Sequence, residues 1–116
     1  MPKIITRAEL EARLRANFAL VMLEALPEKF YRDWHLPGAL HMPHDQVRSL
    51  APQLVPDKTI EIVVYCASDT CQNSHIAARA LTALRHSNVS VYAGGKQDWF
   101  EAGLPVERPA DVVAIC

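Results

Sequence analysis

The amino-acid sequence predicts an α/β fold built on a mostly parallel central sheet. Short apolar runs rich in β-branched residues alternate with longer segments whose apolar residues recur at helical spacing. The run Ile60–Tyr65 is apolar at nearly every position, as expected of a strand that helices cover on both faces. The 116 residues contain no repeat or linker and predict one domain spanning residues 1–116.

The N-terminal half carries clear signals for where its helices begin. Thr6 and Glu9 have the spacing of a capping box. Pro27 suits the first turn of a helix, where no backbone donor is needed. The predicted elements are an edge strand at Ile4-Ile5, a helix over 6–16, a strand over Phe18–Leu23, a short helix over 27–33, a turn leading into a short strand within 35–43, and a helix over 45–54.

The C-terminal half is organised around the strand Ile60–Tyr65. The helix that follows begins at Asn73 or Ser74, and one of these residues is expected to cap it. Trp99 and Phe100 are expected to lie in the core. The remaining predictions are an apolar helix face made by Ala77, Ala80, Leu81 and Leu84, a strand over Val89–Tyr92, a tight turn at Gly94-Gly95, a helix over 96–102 ended by Gly103, and an apolar tail segment at Val112–Ile115 that packs or pairs.

Cys66 stands where the central strand ends and a polar loop leads into a helix. In this position the amides of the loop and the first helical turn are expected to point toward one place, and the helix dipole adds partial positive charge there. Both effects favour thiolate over thiol, and the thiolate is the nucleophilic form of cysteine. The sequence therefore predicts that Cys66 performs the chemistry.

Composition excludes several functional classes. The net charge is −1 with no basic block, so neither nucleic acid nor an anionic membrane surface is an expected partner. The N-terminus lacks a signal-peptide core and no long apolar run occurs, which predicts a cytoplasmic protein. Three cysteines, including the terminal Cys116, form no even disulfide framework and are expected to be free thiols.

Four separate motifs, in order along nearly the whole chain, carry a family resemblance. His35-Leu36-Pro37-Gly38-Ala39, Val63-Val64-Tyr65-Cys66, Gly94-Gly95-Lys96-Gln97-Asp98-Trp99 and Gly103-Leu104-Pro105-Val106 resemble the segments that mark single-domain rhodaneses, a sulfurtransferase family. The resemblance implies a three-layer fold, with a central sheet of about five strands flanked by helices.

The resemblance also implies a mechanism. The Cys66 thiolate would take the outer sulfur of a donor, hold it as a persulfide and pass it to a nucleophilic acceptor. The expected partners are a small sulfur donor or a persulfidated protein, together with a thiol acceptor. No metal or organic cofactor is expected, and the sequence does not fix the oligomeric state. The active-site loop would comprise Ala67, Ser68, Asp69, Thr70, Cys71, Gln72, Asn73 and Ser74.

The loop departs from the common family pattern, in which an arginine and a serine close the loop after Cys-x-x-x-x. Cys71 stands where the arginine is usual, and Ser74 comes about two residues late. The loop contains Asp69 and no basic residue. Leu26 also replaces an arginine that often follows the acidic residue at the end of the early strand, here Glu24. Thiosulfate is therefore expected to be a poor donor, and a protein or small-molecule persulfide a better one.

Alternative roles remain open for several residues near Cys66. Cys71 either acts as a resolving thiol, forming a disulfide with Cys66, or merely lines the loop. Cys66, Cys71 and His75 are soft metal ligands, although structural zinc usually has four ligands in closer pairs. His75 could assist electrostatically or be solvated. His35 is expected to fix its turn through a hydrogen bond rather than act as an acid or base.

Glu24 is a further auxiliary candidate, because it ends a predicted strand at the sheet edge where α/β folds bind ligands. A non-catalytic module that binds partners or senses redox state through Cys66 and Cys71 remains the main alternative to a sulfurtransferase. A cysteine phosphatase or arsenate reductase is a weaker one. Those enzymes need a loop arginine for the oxyanion, and here position +6 is Gln72 with no arginine before Arg79.

Overall fold

The computed structural model describes residues 2–108 and contains one sheet of five parallel strands. The strand order is β1-β5-β4-β2-β3, so the strand that ends at Cys66 is central and β1 lies at an edge as predicted. This sheet and its flanking helices confirm the predicted fold class. The strands are β1 (Lys3–Ile5), β2 (Val21–Glu24), β3 (Leu40–His41), β4 (Ile62–Tyr65) and β5 (Val89–Tyr92).

Helices pack on both faces of the sheet and complete three layers. Cluster one, on one face, joins residues of α3 and α4 to the sheet, and cluster two, on the other face, joins residues of α1 and α5 to it. The predicted apolar face of α4 lies in cluster one, with Ala77 and Leu81 fully buried. The helices are α1 (Arg7–Ala16), α2 (Glu28–Asp33), α3 (Val47–Leu54), α4 (Asn73–Ala83) and α5 (Gly95–Glu101).

β4 is buried along its whole length because both of its faces are covered. Ile62 and Val64 belong to cluster one, whereas Val63 and Tyr65 belong to cluster two, as the two-residue period of a strand requires. Each fully buried aliphatic side chain of this kind contributes about 1.5–3 kcal/mol through the hydrophobic effect. The continuous apolar run thus places Cys66 at the end of the central, fully covered strand.

Two sequence predictions about aromatic residues are wrong. The strand predicted over Phe18–Leu23 begins only at Val21, because the Asn17 side chain accepts a hydrogen bond from the Ala19 amide and forms a turn that leaves Phe18 exposed. Phe100 is 61% exposed while its neighbour Trp99 is buried, since adjacent helical residues point in different directions. Of these two neighbours, only Trp99 lies in the core.

The signals for helix ends were more accurate. Both hydrogen bonds of the capping box between Thr6 and Glu9 are present. Gly95 and Gly103, at the two ends of α5, have φ of 62° and 74°, which favours glycine. Among residues 2–108 no helix is long and apolar enough to span a membrane. The predicted packing of Val112–Ile115 and the terminal Cys116 lie outside the described residues.

Candidate active site

Cys66 directly follows β4, at the centre of the edge where the parallel strands end. Its side chain is only 1% exposed. The loop residues Ala67, Asp69, Thr70 and Gln72 are exposed, whereas Ser68, Cys71 and Asn73 are half-buried. The predicted loop therefore lies at the protein surface, and the Cys66 thiol beneath it is buried.

Two groups hold the Cys66 thiol. Its Sγ donates to the carbonyl oxygen of Cys71 at 3.4 Å, and it lies 3.4 Å from Oγ of Ser74, whose hydroxyl can donate to the sulfur. Ser74 is buried, and Gln72 occupies the N-cap position of α4 without a side-chain hydrogen bond. The prediction that Asn73 or Ser74 caps the helix is therefore wrong. The Ser74 hydroxyl contacts the Cys66 sulfur instead.

The resting environment of Cys66 favours the neutral thiol. Burial raises the pKa of the Cys66 thiol, and the contact with the Cys71 carbonyl raises it further, while hydrogen bonds from Ser74 lower it in part. The predicted arrangement of amides around the sulfur is present only in part, because the Ser74 backbone amide is directed at Cys66 but no such contribution comes from the Cys71 amide. The Cys71 amide donates to the Ser68 carbonyl, and the Cys71 carbonyl faces the sulfur.

Cys66 and Cys71 are both free thiols, five residues apart in the sequence. The hydroxyls of Ser68 and Thr70 lie 3.0 Å apart and pair with each other in the exposed part of the loop. His75 is half-buried in the first turn of α4. Within residues 2–108, no three His, Cys, Asp or Glu side chains are grouped so as to hold a metal ion.

The N-terminus of α5 contacts the segment that carries Cys66. The amide of Lys96 donates to the Cys66 carbonyl and the amide of Gln97 to the Ala67 carbonyl, both at 2.9 Å. Gly95 lies so close to the Cys66 carbonyl that a side chain at this position would collide with it. Two of the helix amides that have no intrahelical partner are thereby satisfied by the loop.

A buried polar network lies behind this segment. Glu24 is fully buried, and its carboxylate accepts from the Tyr65 hydroxyl at 2.9 Å and from Lys96 Nζ at 3.1 and 3.2 Å. Burial raises the pKa of Glu24 and lowers that of Lys96, and each partner opposes the shift of the other. Burial also raises the pKa of Tyr65, which remains a donor.

Sequence reasoning placed Glu24 at this edge but missed Lys96 and Tyr65. The sequence does contain a signal for a cation near Glu24. A carboxylate at the end of a buried strand needs a positively charged partner, and Leu26, which replaces the usual arginine, cannot be that partner. Lys96 follows β5, which ends at the same edge of the sheet, and is therefore a candidate. The pairing itself joins residues 72 positions apart, which local patterns do not reveal.

Acidic side chains border the loop on its solvent side. Asp69 lines a cavity of about 190 Å³ together with Gly94, Gln97, Asp98 and Glu101. Asp98 is partly neutralised by Arg7, whose guanidinium lies 2.9 Å from its carboxylate. The surroundings of Asp69 therefore add negative charge to the loop and do not compensate for the missing arginine.

The contacts of His35 hold its own turn against neighbouring segments. Its ring stacks on Tyr31 with centroids 3.9 Å apart, Nδ1 lies 3.1 Å from the Tyr31 carbonyl, and Nε2 lies 3.5 Å from the Glu107 carboxylate. Its backbone also pairs with that of Glu107. These contacts agree with the predicted role of fixing the turn.

The chain is similar to known proteins along most of its length. A family model described as Rhodanese-like domain matches residues 6–102. The curated HTH-type transcriptional regulator Rv0324 of Mycobacterium tuberculosis (strain ATCC 25618 / H37Rv) is 34% identical over 109 residues, covering 93% of this chain and 46% of the regulator. The chain therefore spans about half the length of the curated relative it matches.

Two solved structures with similar levels of sequence identity to this chain show the same fold. The solution structure of the rhodanese-like domain of the Anabaena sp. protein Alr3790 is 28% identical, with a TM-score of 0.80, and covers 96% of this chain and 83% of that one. A rhodanese from E. coli solved with anions is 26% identical, with a TM-score of 0.66, over 78% of this chain and 99% of that one.

Proposed function

The chain belongs to the rhodanese-like domain family, and we propose that it is a sulfurtransferase in which Cys66 carries the sulfur as a persulfide. The similarity to rhodanese structures supports a sulfurtransferase-like role in general. The observation that carries the specific proposal is the position of Cys66, a free thiol at the end of the central strand, with its sulfur in contact with the loop and α4.

The proposed reaction has two displacement steps. The Cys66 thiolate attacks the outer sulfur of a donor persulfide, a new S–S bond forms, and the bond between the two donor sulfurs breaks. The donor leaves as a thiol after taking up the proton that Cys66 lost. An acceptor thiolate then attacks the outer sulfur of the Cys66 persulfide and regenerates the Cys66 thiolate. No external oxidant or reductant is needed, because each S–S bond formed replaces one broken.

The loop must rearrange for the first step. In the resting structure the Cys71 carbonyl accepts from the thiol, and a carbonyl oxygen would repel the thiolate. Rotation of the peptide between Cys71 and Gln72 would remove this contact and direct the Gln72 amide toward the sulfur. The Ser74 hydroxyl can remain in place and donate to the anion, because a hydroxyl is both donor and acceptor. Donor binding is proposed to drive this change.

The charge around the loop supports an uncharged or weakly charged sulfane group as the donor. Thiosulfate is a dianion that would approach Asp69 beside Glu101 and the partly neutralised Asp98. No lysine or arginine of the loop itself offsets these charges. A persulfide carried by a thiol molecule or a protein presents its outer sulfur with less negative charge.

Intact mass spectrometry tests the proposal. The protein would be exposed to glutathione persulfide or, separately, to thiosulfate, with Cys66→Ser and Cys71→Ser variants alongside. We expect wild type and Cys71→Ser to gain one sulfur atom from the persulfide, and Cys66→Ser to gain none at this site. Little gain is expected from thiosulfate. A wild-type protein that gains no sulfur from either donor contradicts the proposal.

A second candidate is a redox-sensing module based on a Cys66–Cys71 dithiol. It is favoured by the contact between the Cys66 thiol and the Cys71 backbone, and by the likeness to a protein named as a transcriptional regulator. Oxidised glutathione would take two electrons and two protons from the pair and leave one disulfide. The loss of two hydrogens, abolished in both single variants, would support this function.

A further inference from the structure

The position of the Cys66 segment depends on where α5 begins. The first-turn amides of Lys96 and Gln97 donate to the carbonyls of Cys66 and Ala67, each at 2.9 Å. Gly95 packs directly on the Cys66 carbonyl, so no side chain separates the helix from the loop. A shift of the α5 N-terminus would therefore move the base of the active-site loop.

The Lys96 side chain attaches this helix end to β2 and α2. Its Nζ lies 3.1 and 3.2 Å from the two Glu24 oxygens at the end of β2, and it donates to the Phe30 carbonyl in α2 at 2.6 Å. It also lies 4.8 Å from the centre of the Trp34 ring. The hydroxyl of Tyr65, the residue before Cys66, donates to Glu24 at 2.9 Å.

Stability alone is a weak explanation for this network. The Lys96 and Glu24 side chains are 9% and 0% exposed, so both charges have lost most of their hydration. Apolar replacements of a buried ion pair are often equally stable or more stable. An ion pair with several hydrogen bonds, in contrast, fixes distance and direction, which apolar contacts do less well.

We propose that Glu24 and Lys96 are positioning residues that fix the first turn of α5 against Cys66, so that the loop can bind and transfer sulfur. The inference rests on the proposed function. It assigns a role to Glu24, which sequence analysis left as an auxiliary candidate, and to Lys96, which sequence analysis missed. Neither side chain is required to touch the transferred sulfur.

The structure offers a matched control at the opposite edge of the sheet. Arg13 lies 3.0 Å from the carboxylate of Glu61, which directly precedes β4, and the two side chains are 26% and 14% exposed. Arg13 also donates to Ser90 at 3.1 Å. This pair joins a helix to the central strands, as Glu24–Lys96 does, but it lies at the start of β4 rather than at its end.

The test compares the apolar double variants Glu24→Leu/Lys96→Met and Arg13→Met/Glu61→Leu with wild type. Three quantities are measured: the thermal midpoint, the rate of sulfur gain from glutathione persulfide, and the rate of Cys66 alkylation by iodoacetamide at several pH values. For Glu24→Leu/Lys96→Met we expect an unchanged or higher midpoint and about tenfold slower sulfur gain, because small displacements at a reacting centre are costly. Alkylation of Cys66 is expected to be faster, since the thiol is no longer held buried.

Two further variants complete the test. Lys96→Arg keeps the charge and is expected to recover part of the rate of sulfur gain. Should the double variant fail to fold, Glu24→Gln replaces it, because the amide keeps the shape of the side chain and removes its charge. The inference is overturned if sulfur gain and alkylation in the variant used stay within about twofold of wild type, or match those of the Arg13/Glu61 control.

Failure of the proposed function would be recognised separately. A wild-type protein that gains no sulfur refutes sulfur transfer, but its Cys66 can still be alkylated. Faster alkylation in the folded Glu24/Lys96 variant, with no change in the Arg13/Glu61 control, would still support the positioning role. Equal alkylation rates in all three proteins would refute it.

Discussion

The ion pairs at the two edges of the sheet differ in how deeply they are buried. At the edge where the strands begin, the Arg13–Glu61 pair keeps 26% and 14% of its side-chain surface in contact with water. At the edge where the strands end, the Lys96 and Glu24 side chains are 9% and 0% exposed. A buried ion pair is often no more stabilising than the apolar residues that could replace it, so the pair beside Cys66 fits the proposed positioning role better than a role in stability alone.

The largest expected effect comes from Gly95→Ala, with Gly103→Ala as its control on the same helix. Both glycines have positive φ, but an added Cβ would meet the Cys66 carbonyl only at position 95 and has open space at 103. We expect Gly95→Ala to lose at least about 2 kcal/mol of unfolding free energy and most of its sulfur gain.

The control should lose about 1 kcal/mol from backbone strain and keep its rate of sulfur gain. Chemical denaturation and the mass assay measure both quantities. Equal losses of sulfur gain in the two variants would show that the close approach at Cys66 has no special importance.

A smaller effect is expected at the two ends of α4. Ser74→Ala removes the hydroxyl that contacts the Cys66 thiol, whereas Thr82→Ala removes a hydroxyl that only donates to the Ala78 carbonyl within the helix. Because Ser74 lowers the pKa of Cys66, its loss should raise that pKa further and slow sulfur gain at neutral pH. Ser74→Ala is also expected to lower the free energy of unfolding by about 1 kcal/mol.

The pH dependence of Cys66 alkylation provides the measurement for this comparison. Only the thiolate reacts, and burial raises the pKa of the Cys66 thiol, so the wild-type rate should still be rising above pH about 8.5, the ordinary value for cysteine. Ser74→Ala should move the curve to higher pH, while Thr82→Ala should leave it unchanged. A wild-type curve that levels off below that pH would mean that the resting loop already favours the thiolate.

The smallest expected effect concerns donor choice. Asp69→Asn removes a loop carboxylate, whereas Asp57→Asn removes an exposed one that binds Thr59 before β4, at the other edge. The rate with thiosulfate should rise roughly two- to fivefold in Asp69→Asn, because exposed charges interact weakly. It should not change in Asp57→Asn, and the rate with glutathione persulfide should change in neither. An equal rise in both variants would assign the effect to net charge.

Sequence reasoning predicted the fold well because local patterns determine it. The apolar run before Cys66, the capping box at Thr6 and the strand Val89–Tyr92 were read from spacing and composition and are present. The catalytic role of Cys66 remains a prediction, although the structure places it at the expected edge. Phe18 was misassigned because a single Asn17 hydrogen bond forms the turn that exposes it.

The details of the site were less predictable because they depend on peptide orientation and long-range pairing. Nothing in the residue types of the loop shows that the Cys71 carbonyl, rather than its amide, lies on the Cys66 thiol. The Ser74 hydroxyl was assigned to a helix cap, its commonest role, and the pairing of Glu24 with Lys96 requires knowing that two distant strand ends meet. These features depend on the folded structure and not on local sequence patterns.

The most direct test follows the sulfur after it has reached Cys66. The protein is loaded with glutathione persulfide, freed of excess reagent and mixed with a thiol acceptor such as glutathione, and its mass is followed with time in wild type and Cys71→Ser. We expect both proteins to return to the mass of the reduced chain while the acceptor gains the sulfur.

The contradicting result is also defined by mass. If wild type instead ends two hydrogens lighter than the reduced chain and releases sulfide, while loaded Cys71→Ser keeps its sulfur, then Cys71 has displaced it to form a disulfide. The domain would then be a dithiol switch rather than a sulfur carrier.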